Sequence, residues 1–480
     1  MKRTYFYFFL ILGMAFFSFV TSSCHEGKKQ EKQQEAAVTQ PFGFKPGTVY
    51  DSVACQKHPG ETYALVLPAK FDPGKRFPVI FFFDAQARGA LPVKRYQSLA
   101  DRFGFILAAS NQSKNGLAAP ERNRIIYHFM ADVEKRFPLD ARRIYTGGFS
   151  GGARIAAGIG LSNPGIAGTL GCAAGFPPVK QVLNNQLAYV GMVGNTDFNF
   201  LEMQQLAREL EKAHWHHCLL VFDGHHQWPP LQTMKMAFYF LQADAMRRHL
   251  IPRDENIPVT LKKIFDGKRR EARHNKNLLL QWQTDKQAIA FLEGLTDVSL
   301  YRKEAQDLLK NPRLQSQREL QAKLKKEEQE RQQALSRALQ TETTAWWQKS
   351  LQELAAEKAS AGTPAKKQMV QRLYNYLSLM AYLYADGSLK NHQTEAARKY
   401  LMIYRFVDPG NPEAWFLQAR LFAMTGQKPG KILMALQTAA DKGFYDLKRL
   451  NADPLFVPLY SHPLFRKIQQ QVKKNPVKEM

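Results

Sequence analysis

Cysteine is scarce. Four residues in a chain of 480 exclude a disulfide-stapled scaffold. There is no HExxH and no paired CxxC, so no local spacing marks a metal site. No Gly-x-Gly-x-x-Gly and no P-loop follows a strand-like run, and no cofactor is expected. Acidic residues are in deficit, with 42 Asp and Glu against 67 Lys and Arg for a net charge of +25. The basic excess is spread along the chain rather than gathered in one stripe. That suits a neighbourhood of anionic lipid or polysaccharide and argues against nucleic acid as a partner. Long apolar runs are absent except over residues 5–20, about 16 residues and short of the ~20 that span a bilayer. What is present is ordinary for a globular chain, 45% hydrophobic and 23% charged, with length for two or three domains.

The first residues read as an export signal. Lys2 and Arg3 precede the apolar run, and Val20-Thr21-Ser22-Ser23 leads in small residues to Cys24. A basic start, a short apolar stretch and a small-residue site describe a secretory signal; the alternative is a retained anchor. The residues ending at Cys24 resemble a bacterial lipobox without its usual Leu. The resemblance implies cleavage over 1–23, lipidation of Cys24 and a membrane attachment through it. By the sorting rule of that family, His25 in place of Asp favours the outer membrane of the cell envelope. Residues 24–44 are polar and read as a tether.

Residues 45–250 alternate short apolar runs with amphipathic stretches. Strands are expected over 63–67, 79–83, 105–109, 143–146, 166–174, 187–193 and 217–222. Helices are expected over 94–103, 120–136, 152–162, 200–213 and 230–249. Such alternation predicts an α/β fold with a doubly wound, mainly parallel sheet. Residues 251–365 turn charged and helix-forming and read as a spacer, with 300–340 as one long solvated helix or a helical pair. Residues 366–480 read as helical hairpins, punctuated at Asp408-Pro409-Gly410-Asn411-Pro412, with Pro412 suited to a first helical turn. Trp415, Ala419, Phe422 and Gly426, then Ala435, Leu436 and Ala439, resemble tetratricopeptide repeats over about 368–445, helix pairs of about 34 residues. Gln418 departs from the usual Leu. The resemblance implies a surface for a protein partner.

One constellation carries chemistry. Gly148-Phe149-Ser150-Gly151-Gly152 follows an expected strand and opens an expected helix, the context in which GxSxG forms a nucleophile elbow. Gly148 and Gly152 are needed because the turn leaves no room for side chains. A serine hydroxyl requires a base, and the base an orienting carboxylate. Asp197 follows the next-but-one strand, and Asp223-Gly224-His225-His226-Gln227-Trp228-Pro229 follows the one after, which keeps the order Ser, acid, His. Adjacent histidines diverge on an extended chain, so only one can face Ser150.

Residues 45–250 therefore resemble the α/β-hydrolase superfamily, in the branch of secreted esterases, polyhydroxybutyrate depolymerases and feruloyl esterases. The branch carries a Gly-Gly-His-Glu-Trp-Pro-like turn. Laid on Gly224–Pro229, it implies His226 as the catalytic base, with His225 where a glycine is usual. The resemblance implies a carboxylic-ester hydrolase working through Ser150, His226 and Asp197. An oxyanion would be held by the N–H of Gly151 and a second N–H from Ala85 or Gln86, where relatives carry His-Gly. Asp84 could raise the pKa of a nearby histidine, and the loop from Ser110 to Gly116 would line the cleft. The residues between Ser150 and His226 are assigned to strands and helices, which leaves no lid and suits a bulky or polymer-linked ester. Phe149, Phe198 and Trp228 either flank the cleft or pack. His214, His216 and His217 read as residues entering a strand. A scaffold with a vestigial hydrolase fold, and a serine peptidase on the same fold, remain open. Residues 41–250 are expected to fold and act alone.

Overall fold

The computed structural model describes residues 43–178, 182–184 and 186–476. The export signal, Cys24 and nearly all of the tether lie outside the described residues. The chain divides into two compact units, the first ending at Ala167 and the second beginning at Gly168.

The first unit holds β1 (Val49–Ala54), β2 (Thr62–Val66), β3 (Phe77–Asp84), β4 (Ile106–Ser110) and β5 (Leu139–Phe149), in the order β1-β2-β4-β3-β5. The first two pairings are antiparallel, and β3 runs parallel to both β4 and β5. Helices α1 (Ala90–Phe103), α2 (Ala119–Arg136) and α3 (Gly151–Ser162) complete it. β3 is apolar from Pro78 to Phe83 because both its faces are covered. α2 begins with Pro120 in its first turn and buries Ile125, Ile126, Phe129 and Val133, a stripe at helical spacing. Phe81 and Phe129 meet edge to face at 5.4 Å between centroids. β1 is a strand that the sequence pattern does not announce: exposed Asp51 and Ser52 interrupt its apolar alternation, and its register shifts between Tyr50 and Val53.

β6 (Ile166–Cys172) leads into the second unit, where it pairs in parallel with β7 (Ala188–Gly194), and β7 with β8 (His217–Phe222). Helices α4 (Phe200–Lys212) and α5 (Leu231–Arg247) follow β7 and β8. The eight strands, mostly parallel and interleaved with helices, are the expected α/β fold with a mainly parallel sheet. One connection departs from expectation. Residues 173–187 link β6 to β7, and those described are neither strand nor helix. The apolar stretch 166–174 stops pairing at Cys172, and Pro177 and Pro178 then remove two backbone donors. The span between Ser150 and His226 is therefore not consumed by regular structure.

An all-α region follows. Its helices are α6 (Asn256–His274), α7 (Leu278–Leu292), α8 (Ser299–Leu309), α9 (Pro312–Thr341), α10 (Thr344–Ser360), α11 (Pro364–Lys390), α12 (Thr394–Val407), α13 (Pro412–Met424), α14 (Pro429–Asp441), α15 (Leu447–Ala452) and α16 (Pro463–Lys474). A 3-10 turn, Pro454–Leu459, precedes α16. Punctuation in the sequence becomes capping. Asn311, Thr343, Thr363 and Asn411 each accept an N–H of the first turn that follows, and Pro412 opens α13. α9 is one helix of 30 residues, yet it is not solvated all round: Leu314, Glu328 and Leu339 are fully buried. A core runs through Trp347, Leu373, Tyr404 and Phe416, where Phe416 stacks on Phe444 at 4.4 Å. Among the described residues no helix is long and apolar enough to cross a membrane.

Candidate active site

In the first unit three loops converge after β3, β4 and β5. Ser150 lies between β5 and α3 with φ 55° and ψ −121°, a backbone conformation that costs a non-glycine residue of order 1–3 kcal/mol. The flanking glycines have no alternative. A Cβ at Gly148 would lie 2.2 Å from the carbonyl oxygen of Gly152, and one at Gly152 would lie 2.1 Å from that of Phe83. The turn is thus wedged between its own helix and β3. Gly151 is pressed from the other side, since a Cβ there would meet Asn115 Oδ1 at 1.8 Å.

The loop after β3 is shaped by Asp84. Its buried carboxylate accepts the Gln86 N–H at 2.8 Å and a two-pronged contact from Arg88, both prongs at 2.9 Å. The Gln86 N–H therefore already has a carboxylate acceptor. Asn115 N–H donates to the Ala85 carbonyl at 2.9 Å, and Gln86 bridges to Lys114. The loop from Ser110 to Gly116 thereby reaches the turn through Asn115. Its other end is tied back, with Asn111 and Gln112 bonded to Thr62.

In the second unit the loops after β7 and β8 are interlocked. Gly194 approaches the carbonyls of Gly224 and His225 so closely that a Cβ would meet them at 2.4 and 2.5 Å. Thr196 donates both its N–H and its hydroxyl to Gly224 O, at 3.0 and 2.7 Å. Asn195 accepts the Gly224 N–H at 3.2 Å and donates to Asp223 at 2.9 Å. This brings Asp197 and His226 together. Asp197 is fully buried, and both its carboxylate oxygens lie 3.0 Å from His226 Nδ1. One of them also accepts the Asn199 N–H at 2.8 Å. With Nδ1 donating to Asp197, Nε2 is the ring nitrogen that can accept a proton. Phe198 packs on the His226 ring at 4.1 Å. His225 is exposed.

No protein-family model matches the sequence, and no curated protein matches it. Solved structures do. The chain is similar to fluorophosphonate-binding serine hydrolase F of Staphylococcus aureus, at 13% identity and TM-score 0.33, over 40% of this chain and 96% of that one. It is similar to a ferulic acid esterase at 16% identity and TM-score 0.34, over 40% and 95%. An esterase of Pyrobaculum calidifontis aligns at 13% identity and TM-score 0.32, over 42% and 85%. The likeness is one of fold.

Of the three aromatic residues that flank or pack, Phe149 and Trp228 are buried, and Phe198 lies against His226. The histidines before β8 go to structural work. His217 bonds the Trp215 carbonyl at 2.8 Å. His216 has Asp244 2.7 Å from Nδ1 and Arg247 2.5 Å from Nε2. Burial lowers its pKa, with Asp244 opposing, and the ring lies flat on Phe240 at 4.3 Å. Cys172 and Cys218 are buried thiols, and so is Cys55.

Sequence reasoning missed Arg88, Asn115 and Asn195 as shapers of these loops. Arg88 had a signal, its i+4 spacing from Asp84. Asn195, one of several polar residues after a strand, had none. Two further residues, Arg372 and Asn375, bond the carbonyls immediately before Asp197.

Proposed function

We propose that the chain is a serine hydrolase that cleaves carboxylic esters through Ser150, His226 and Asp197. The observation that carries this reading is Ser150 at φ 55° in a turn whose two flanking glycines admit no side chain. The buried Asp197 bonded to His226 supports it, since an aspartate that orients Nδ1 makes Nε2 the nitrogen that takes a proton. In this reading His226 Nε2 takes the Ser150 proton as Oγ attacks the ester carbonyl. The tetrahedral oxyanion is held by the N–H groups of Gly151 and Ala85; Ala85 is preferred over Gln86 because the Gln86 N–H serves Asp84. Collapse expels the alcohol, which takes the proton from His226. Water, deprotonated by His226, then releases the acid and restores the serine.

The test is labelling with a fluorophosphonate probe, together with p-nitrophenyl acetate turnover. Labelling of the wild type and none of Ser150→Ala is expected. Absence of labelling in the wild type favours the scaffold reading, and turnover of amide substrates above esters favours a peptidase. Export and lipidation at Cys24 place the enzyme at the cell envelope on the outer membrane in this proposal. Cys24→Ser is then expected to move the protein out of the membrane fraction. The helical hairpins are the surface offered to a protein partner.

A further inference from the structure

The loop that carries Asp197 is gripped by helices far along the chain. Arg372, on α11, donates from Nη1 to the Asn195 carbonyl at 2.6 Å, across 177 residues of sequence. One turn further along, Asn375 Nδ2 donates to the Thr196 carbonyl at 2.7 Å. These are the two carbonyls directly before Asp197. The Arg372 guanidinium lies over the Phe200 ring at 4.4 Å, and Phe200 opens α4 directly after the loop. From α9, Lys325 Nζ reaches Gln204 Oε1 at 2.9 Å. Residues 195–204 are thus held on both sides of Asp197.

Arg372 is itself held. Its Nε and Nη2 donate to the two oxygens of Glu328 at 2.8 and 2.7 Å. The Glu328 side chain is fully buried and that of Arg372 is 6% exposed. Burial pushes the Glu328 pKa up, and Arg372 opposes it. A buried pair of this kind adds little net stability but tolerates only one geometry. The path continues beyond the carbonyl, because the Asn195 side chain bonds Asp223 and Gly224 in the loop that carries His226. A displacement of the Asn195 backbone therefore moves both members of the Asp197–His226 pair.

We infer that Arg372, locked by Glu328, and Asn375 are positioning residues for the Asp197–His226 pair, so that the helical region is a working part of the hydrolase. The inference rests on the triad reading above. A carboxylate that drifts loses its hold on Nδ1, and the imidazolium formed in each step loses its stabilisation. Two consequences follow together. Turnover falls, and the acid limb of the pH–rate profile moves to lower pH, because a less stabilised imidazolium gives up its proton more readily.

The experiment uses the full chain with Asn375→Ala, which removes one bond and leaves no buried charge unpaired, and Arg372→Lys, which keeps the charge and loses the fork. Labelling of the wild type by the fluorophosphonate probe comes first. For both variants kcat on p-nitrophenyl acetate is expected to fall about tenfold or more with KM within about twofold, as misplacement of a catalytic group requires. The acid limb is expected to shift downward at a temperature well below melting. A labelled, active wild type whose variants keep kcat and the acid limb, whether or not their melting temperature drops, overturns the inference alone. A wild type that is not labelled overturns the triad reading and the inference with it.

Discussion

The loop after β5 and the loop after β7 solve the same problem, aiming one side chain off the end of a strand, by opposite means. The Ser150 turn is held locally. Its conformation follows from Gly148, Gly152 and the backbone of β3 and α3, with Asn115 set against Gly151. The Asp197 loop is held remotely. Its carbonyls are bonded by Arg372 and Asn375, and its neighbour Asn195 ties it to the next loop. A local solution is compact in sequence and intolerant of any added atom. A remote one distributes the constraint, and ties the aim of one carboxylate to the packing of helices far along the chain.

The largest expected effect tests whether the two loops serve one reaction. Ser150→Ala and His226→Ala, the latter removing the ring that the Asp197 loop orients, should each lose roughly 10³-fold or more in kcat on p-nitrophenyl acetate, as removals from a triad do, with unchanged circular dichroism. A large loss in one and none in the other would separate the loops chemically. Next comes a chain ended near Pro252. The sequence alone leads to the expectation that residues 41–250 act by themselves, whereas the braces on Asn195 and Thr196 lead to the opposite one. Fluorophosphonate labelling of the soluble truncated chain should fall at least about tenfold below that of the full chain. Labelling at full strength would show that the Asp197 loop holds its own shape.

Local intolerance gives a smaller effect. Gly152→Ala must displace the Phe83 carbonyl, and overpacking of this kind costs about 1–3 kcal/mol or more. Gly410→Ala, where a Cβ meets nothing within 4 Å, should change the melting temperature little. Thermal unfolding of the pair isolates the cost of the turn. The smallest effect concerns the exposed histidine. His225→Ala should leave kcat within about twofold, since the exposed His225 is not the ring that Asp197 holds. A loss matching that of His226→Ala would reassign the base.

What was legible in the sequence follows the same division. The turn around Ser150 could be read from five consecutive residues, because the glycines that let the chain through it are contiguous, even though Phe83 and Asn115, which press on two of them, are not. β8 was legible to the residue, since Cys218 to Phe222 is an apolar run that Asp223-Gly224 ends. β1 was not, because an edge strand with Asp51 and Ser52 facing out lacks the alternation of a half-buried one. The connection 173–187 was overlooked because its apolar start continues the pattern of β6 past the last paired residue. Glu328 and Arg372 sit among many charged residues on two helices. Nothing in a helical charge pattern distinguishes a buried ion pair from the solvated ones around it. Their role depends on a contact spanning 177 residues, which no local window contains.

The buried cysteines give the molecule a gauge of its own opening. Cys55, in the first unit, and Cys172 and Cys218, in the second, are all out of reach of solvent. Burial, with Asp132 next, pushes the Cys55 thiol up to about 11, and burial drives that of Cys218 higher still. Thiolate is the form that alkylating reagents attack, so these three thiols offer a maleimide almost nothing in the folded chain. Under mild denaturant or gentle heating the order in which the three become alkylated reads out which unit yields first, with no engineered probe in the chain.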